Sequence, residues 1–239
     1  MNEQDREQAI LDAAADLLIR LGYNKLTMGD VAEAVALHRG LVYLHFKSKD
    51  ELVEAVLRRE GGRYAGAWRE QMEADPRGGD VASVYRLMVR VLKDRPLTAA
   101  IAARDPEVFG KYLRKPGNLF ERLPRTFGMR EFLEVMQQAG TVRQDVDTRA
   151  VAYILDALTP ALRRTFAADR AGSPDPDQPT SDELLEALAD LLDRALAPAD
   201  GGDLEKGKAV LLGGLRQVRA ELATELGPEE GIAEEGEES

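Results

Sequence analysis

The chain has 239 residues, 44% hydrophobic and 31% charged, with a formal net charge of −11. That length suits one or two modest domains with a sizeable core. The sequence holds no cysteine, which excludes disulfides, zinc-thiolate and cysteine-ligated iron–sulfur sites, and a cysteine nucleophile.

The N-terminal stretch MNEQDREQAILDAAADLL begins acidic and has no basic n-region, so it does not read as a secretion signal. Ala9, Ile10, Ala13, Ala14, Leu17, Leu18 and Leu21 then recur with a 3.6-residue period, which predicts a helix that Gly22 stops. Thr27-Met-Gly-Asp30 predicts a capped second helix with Val31, Ala32 and Val35 inward. A tight turn at Ala36-Leu37 follows, then a short third helix over His38–Leu44. Ser48-Lys-Asp-Glu51 is a second capping box, opening a fourth helix with Leu52, Val53, Val56 and Leu57, which Gly61-Gly62 are expected to end or bend.

Helical patterns continue beyond Arg63. They run around Tyr85–Leu92, around Phe132–Met136, over Val151–Phe166 with a kink expected at Pro160, over Leu184–Leu196, and over Leu204–Leu226. Asp75–Gly79, Arg114–Gly117, Ala139-Gly140 and the Pro-rich Ala171–Pro179 read as connections. No period-2 strand and no internal repeat is present, so the expected class is all-α. No apolar run reaches the ~20 residues of a membrane span, and a cytoplasmic protein without a membrane partner is expected. The expected domains are 1–63, 64–226, and an acidic disordered tail over 227–239 with six glutamates and no basic residue after Gly227.

Both histidines of the chain, His38 and His45, lie in HRGLVYLHFKSK. On one helix their spacing of seven would put them about 10.5 Å apart along the axis, too far to share one ion. Neither sits in a segment with the composition of an apolar pocket, although a catalytic partner elsewhere stays open at this point. Charge favours a third reading. Between Asn24 and Lys49 there are four basic residues (Lys25, Arg39, Lys47, Lys49) against two acidic ones (Asp30, Glu33), a positive stretch in an acidic chain. A short basic helix behind a tight turn has the layout of a helix-turn-helix, whose second helix enters the major groove.

Thr27-Met-Gly-Asp-Val-Ala32 followed by Arg39-Gly-Leu-Val-Tyr-Leu-His-Phe-Lys-Ser-Lys-Asp-Glu-Leu52 resembles the DNA-binding domain of the TetR family of bacterial repressors, over roughly residues 3–63. Tyr43-x-His45-Phe46-x-x-Lys49 is its most specific part. Gln138–Val146 resembles a Gly-x-x-Arg-x-Asp turn frequent in the family. The resemblance implies an N-terminal helix-turn-helix domain and a C-terminal helical ligand-binding and dimerisation domain. It implies DNA contacts by Thr27, Arg39, Gly40, Tyr43, His45 and Lys49, with Phe46 in the core, and His38 at the start of the third helix is expected to add a contact. It also implies a homodimer through the helices Val151–Phe166 and Leu184–Leu196.

Two departures stand out. The family's turn commonly reads Ala-Gly-Val-Ser, where this chain has Val35-Ala-Leu-His38. Ala36 must therefore make the turn without glycine, and His38 replaces a small cap residue.

Tyr85, Met88, Phe109, Tyr112, Phe120, Phe132, Met136 and Tyr153 are read either as plain core or as the lining of a pocket for a small apolar effector. No metal, cofactor or catalytic residue is expected. The sequence thus reads as a homodimeric repressor released from its operator by an effector. A helical enzyme and a helical protein–protein adaptor are the alternatives.

Overall fold

The computed structural model describes residues 2–122, 128–170 and 179–224. Over these residues the protein is helical, without strands: α1 (Glu3–Lys25), α2 (Met28–Ala34), α3 (Arg39–His45), α4 (Lys49–Ala74), α5 (Val81–Asp94), α6 (Pro96–Ala103), α7 (Pro106–Phe109), a 3₁₀ turn (Gly110–Arg114), α8 (Leu119–Arg122), α9 (Met129–Ala139), α10 (Thr148–Arg170), α11 (Ser181–Leu196) and α12 (Leu204–Thr224). Most of the Ala171–Pro179 connection and the tail over 227–239 lie outside the described residues. The helix α10 is continuous over the turn where Pro160 was expected to kink it.

The helix starts are where local hydrogen bonding puts them. Asn2 and Asp5 cap α1 reciprocally, Thr27 and Asp30 cap α2, and Thr180 and Glu183 cap α11. The box at Ser48 is closed differently from expectation. Ser48 accepts the Glu51 amide at 3.1 Å, but the Glu51 carboxylate takes the Lys47 amide at 2.8 Å, one residue before the cap. Gly22 interrupts α1 with φ +72° and ψ 160°, and the chain makes one more turn before Leu26. A Cβ at Gly22 would lie 2.8 Å from the Glu107 carbonyl oxygen, so glycine is needed here both for conformation and for the approach of α7.

Gly61 and Gly62 do not end α4, which runs unbroken for 26 residues. The boundary expected at residue 63 therefore falls inside a helix. The first core also extends past it: Ile10, Leu18, Val31, Val42, Leu52 and Val56 pack with Leu97, Phe109, Tyr112, Leu119 and Phe120 from α6, α7, the 3₁₀ turn and α8. A second core gathers Tyr85, Val89, Leu133, Met136, Leu155, Leu185 and Ala189 from α5, α9, α10 and α11. Between them, Trp68 and Met72 of α4 pack with Val84 and with Leu211, Leu212 and Leu215 of α12. α12 is held on α4 by the Lys208 ammonium, which donates to the carbonyls of Glu73 and Asp75 at 3.0 and 3.2 Å, at the C-terminal end of α4.

The turn between α2 and α3 is a Schellman motif. The Leu37 amide donates to the Ala32 carbonyl at 2.9 Å and the Ala36 amide to that of Glu33 at 3.1 Å. Ala36 has φ +52°, the left-handed conformation expected from the missing glycine. A non-glycine residue there costs about 1–2 kcal/mol, and glycine returns about 0.5–1 kcal/mol of that through the entropy of the unfolded chain. Ala36→Gly is accordingly expected to raise stability by about 0.5–1 kcal/mol in urea unfolding. An unchanged or lower midpoint would show that the turn carries no strain.

Candidate nucleic-acid interface

The third helix has one face in the core and one in solvent. Val42 and Phe46 are buried. Arg39, Gly40, Tyr43 and Leu44 are exposed, at i, i+1, i+4 and i+5, and so share a face. The Arg39 guanidinium donates to the Tyr43 hydroxyl at 3.0 Å and lies 5.3 Å from the centre of its ring, which orders both side chains on the open side of the helix. Leu44 is 79% exposed. An apolar side chain on this face suits the methyl group of thymine. Sequence reading placed Leu44 only as the end of a helix. The mark that could have singled it out was its position one residue after Tyr43, away from the Val42 stripe.

His38 is the N-cap of α3, and its Nδ1 accepts the Gly40 amide at 3.1 Å. Acceptance at Nδ1 puts the proton of the neutral ring on Nε2, leaving that atom a donor. A Cβ at position 40 would sit 3.2 Å from the same Nδ1, so glycine at 40 leaves room for the imidazole to cap. His45, in the last turn of α3, is half-buried, its ring centre 6.4 Å from that of Phe46.

Thr27 is exposed and fully engaged as a cap. Its hydroxyl accepts the Asp30 amide at 3.2 Å and donates to the Asp30 carboxylate at 2.9 Å. Lys47 is exposed between α3 and α4.

Lys49 differs from a freely projecting phosphate ligand. It is half-buried, and its ammonium donates to the backbone carbonyls of Tyr23 and Leu26 at 2.8 and 3.0 Å while lying 4.1 Å from the centre of the Tyr23 ring. It thus ties the start of α4 to the end of α1. Burial pulls this ammonium below its ordinary pKa, against the opposing charge of Asp50.

Asp50 completes the cluster, accepting hydrogen bonds from the Tyr23 hydroxyl and the Lys115 ammonium. Partial burial pushes its carboxyl up. The hydrogen bonds from Lys115 and Tyr23, with the charges of Lys115 and Lys49, outweigh that and hold it below its ordinary value. One turn further along α4, Glu54 pairs with Arg122 of α8 at 2.5 Å and with Arg58 at 3.2 Å.

The eight residues read as a pocket lining are not brought together. Phe109, Tyr112 and Phe120 belong to the first core, with rings 5.0 to 6.1 Å apart. Tyr85 and Met136 are buried in the second, where Met88 and Phe132 pack at its edge. Tyr153 is 78% exposed on α10. Among the described residues no group of three or more histidines and acids is placed to hold a metal ion, and no described helix is long and apolar enough to cross a membrane.

Residues 10–56 match the family described as bacterial regulatory proteins, tetR family. The match runs from α1 into α4 of the chain. Its N-terminal helices are the tetR helix-turn-helix unit. Among its relatives is the uncharacterized HTH-type transcriptional regulator YvkB of Bacillus subtilis, 32% identical over 100 residues, which are 42% of this chain and about half (52%) of that protein. The HTH-type transcriptional repressor Rv1474c of Mycobacterium tuberculosis is 24% identical, over 80% of this chain and 92% of the relative. A TetR family transcription regulator from Marinobacter aquaeolei shares the fold with a TM-score of 0.57, at 16% identity, over 82% of this chain and 99% of that one.

Three predictions follow from the geometry of this tetR unit. Lys49→Ala leaves two carbonyls without their donor and is expected to lower unfolding stability by about 1–3 kcal/mol. Lys47→Ala should instead leave stability unchanged and flatten the salt dependence of DNA binding by about one ion. Lower affinity with unaltered unfolding in the Lys49 variant would return that residue to the phosphate backbone. Asp50 sets the pH dependence. Its carboxyl is lowered on folding, so its contribution is complete above the ordinary carboxylate value of about 3.9 and is lost as pH falls through the lower folded value. Asp50→Asn should therefore flatten the acid limb of a pH–stability curve below pH ~4; an unchanged limb would mean that the cluster does not hold α4.

Proposed function

We propose that this tetR-family protein is a homodimeric, sequence-specific repressor that lays α3 in the major groove and is released from its operator by a small apolar effector. The exposed face of α3, with Arg39, Gly40, Tyr43 and Leu44 behind the His38 cap, is the observation that carries this reading. Arg39 reads a base edge, Leu44 meets a thymine methyl, and Tyr43 and Lys47 take phosphates. His38 donates from its outer ring nitrogen, and the half-buried His45 reaches the backbone from the end of the helix.

The dimer is supported by an apolar face. Tyr153, Ile154 and Leu158 of α10 and Leu191 of α11 are 78, 56, 38 and 62% exposed, on the two helices that also carry Leu155 and Leu185 into the second core. Large apolar side chains gathered in this way mark an interaction surface. One seven-residue recognition helix reads few base pairs, and a two-fold copy doubles the site into a palindrome.

An effector wedged among Tyr85, Met88, Phe132 and Met136 would bear on α5 and α9. These pack close to the distal half of α4, whose other end is pinned by Lys49 and Asp50 in the DNA unit. Such a ligand shifts the balance only by binding the two arrangements differently.

The test is selection of bound fragments from a random duplex library at about 150 mM salt, because affinities at unstated salt carry no meaning. A palindrome of two half-sites is the expected result. Arg39→Ala should change the base preferred at one position of each half-site, Tyr43→Phe should weaken all sequences alike, and Tyr153→Glu with Leu191→Glu should give monomers with much weaker operator binding. No enrichment by a folded dimer would overturn the reading.

A further inference from the structure

A cleft of about 470 Å³ lies where α1, α4 and the start of α6 meet, away from α3 and from the α10–α11 face. Its size is within the range of small-molecule sites. Four arginines line it, Arg20, Arg59, Arg63 and Arg95, against three acids, Asp12, Asp16 and Glu60. The charges are unevenly used. Arg59 pairs with Asp12 at 2.8 Å and with Glu60 at 3.2 Å, and Arg63 with Glu60 at 3.2 Å. Arg20, Arg95 and Asp16 make no ion pair among the described residues, so the cleft keeps one positive charge in excess.

Two further features converge on it. α6 starts there with Pro96 at its first position and no side-chain cap, so its first amides are left without the acceptor that Asn2, Thr27 and Thr180 supply elsewhere. Thr98, in that same first turn, is only 4% exposed, lines the cleft, and has a buried hydroxyl without a hydrogen-bond partner. A buried hydroxyl left unpaired costs stability, which an acceptor entering the cleft would recover. An uncapped helix start beside surplus arginine is the environment of a bound anion. The rest of the wall is apolar, from Ala15, Ile19, Pro96 and Leu97.

The geometry points to a binding site for a small carboxylate with an apolar body, held between the DNA-binding helices and α6. Its carboxylate accepts from the Thr98 hydroxyl, the first amides of α6 and Arg95, and its body lies on Ile19 and Leu97. A single surplus charge matches a monoanion better than a phosphate dianion. The site is independent of any effector in the second core, and its test does not involve DNA.

The experiment is calorimetric titration of the full chain with sodium hexanoate, hexanamide and inorganic phosphate. Saturable binding of one hexanoate per chain, with a Kd of about 1 mM or tighter, is expected, with hexanamide and phosphate at least about tenfold weaker. Arg95→Gln should weaken hexanoate about tenfold and Thr98→Val about threefold. Arg20→Gln, on an exposed side chain, serves as a further variant that leaves folding intact and should also weaken binding. Absence of saturable hexanoate binding, equal binding by the parent and these variants, or a preference for phosphate would each overturn the assignment.

Discussion

The ammonium group of Lys49 is the point on which the DNA-binding unit is assembled. It reaches back 26 and 23 residues to the carbonyls of Tyr23 and Leu26, where α1 runs out of amide partners, and sits over the Tyr23 ring. The end of α1 and the start of α4 are thereby one joint. The next residue, Asp50, carries the joint outward to Lys115, and Glu54 carries it to Arg122. The orientation of α3, set between α2 and α4, depends on that joint. So does the seating of the 106–122 segment, which Gly22 admits against α1 through the close approach of the Glu107 carbonyl.

An acidic chain keeps a locally basic face around α3 by local arrangement rather than net charge. Asp30 is spent on capping Thr27, and Glu51 on the Lys47 amide. Asp50 is neutralised by Lys115. Three of the acids near α3 are therefore occupied by backbone amides or cations, while Glu33, Arg39 and Lys47 stay in solvent. The same economy explains His38. A cap residue must accept an amide, and imidazole can do so while retaining a donor on its other nitrogen.

Features written in a few neighbouring residues were legible in the sequence. The capping pairs at Thr27 and Thr180, the inward Val31 and Ala32, and the strained Ala36 all depend on neighbours within a few positions. The tetR resemblance rested on such a stretch. What depends on distant partners was not legible. Lys49 reads as a free cation until the carbonyls of α1 are placed beside it. The short elements α6, α7 and α8, of four to eight residues, give too few turns for a period to show, and their aromatic residues were grouped with those of a different core. Tyr153 and Leu158 carry the same apolar signal as the buried Leu155, and only the packing of α10 on α9 and α11 separates outside from inside.

The unbroken course of α4 through two adjoining glycines has a mechanical side. At 1.5 Å per residue its 26 residues form a rod of about 39 Å, rooted in the first core at one end and beneath α12 at the other. Gly62 and Gly66 lie one turn apart on its exposed side, with nothing within 4 Å of where a side chain would begin. Each glycine lowers the local helix preference by about 1 kcal/mol against alanine, and on that side the two positions add no packing contact. Its compliance is therefore concentrated in one place, midway between the two cores. A torque applied at the distal end is partly absorbed as bending before it reaches the DNA unit, so the stiffness of these two turns sets how much of any displacement is transmitted.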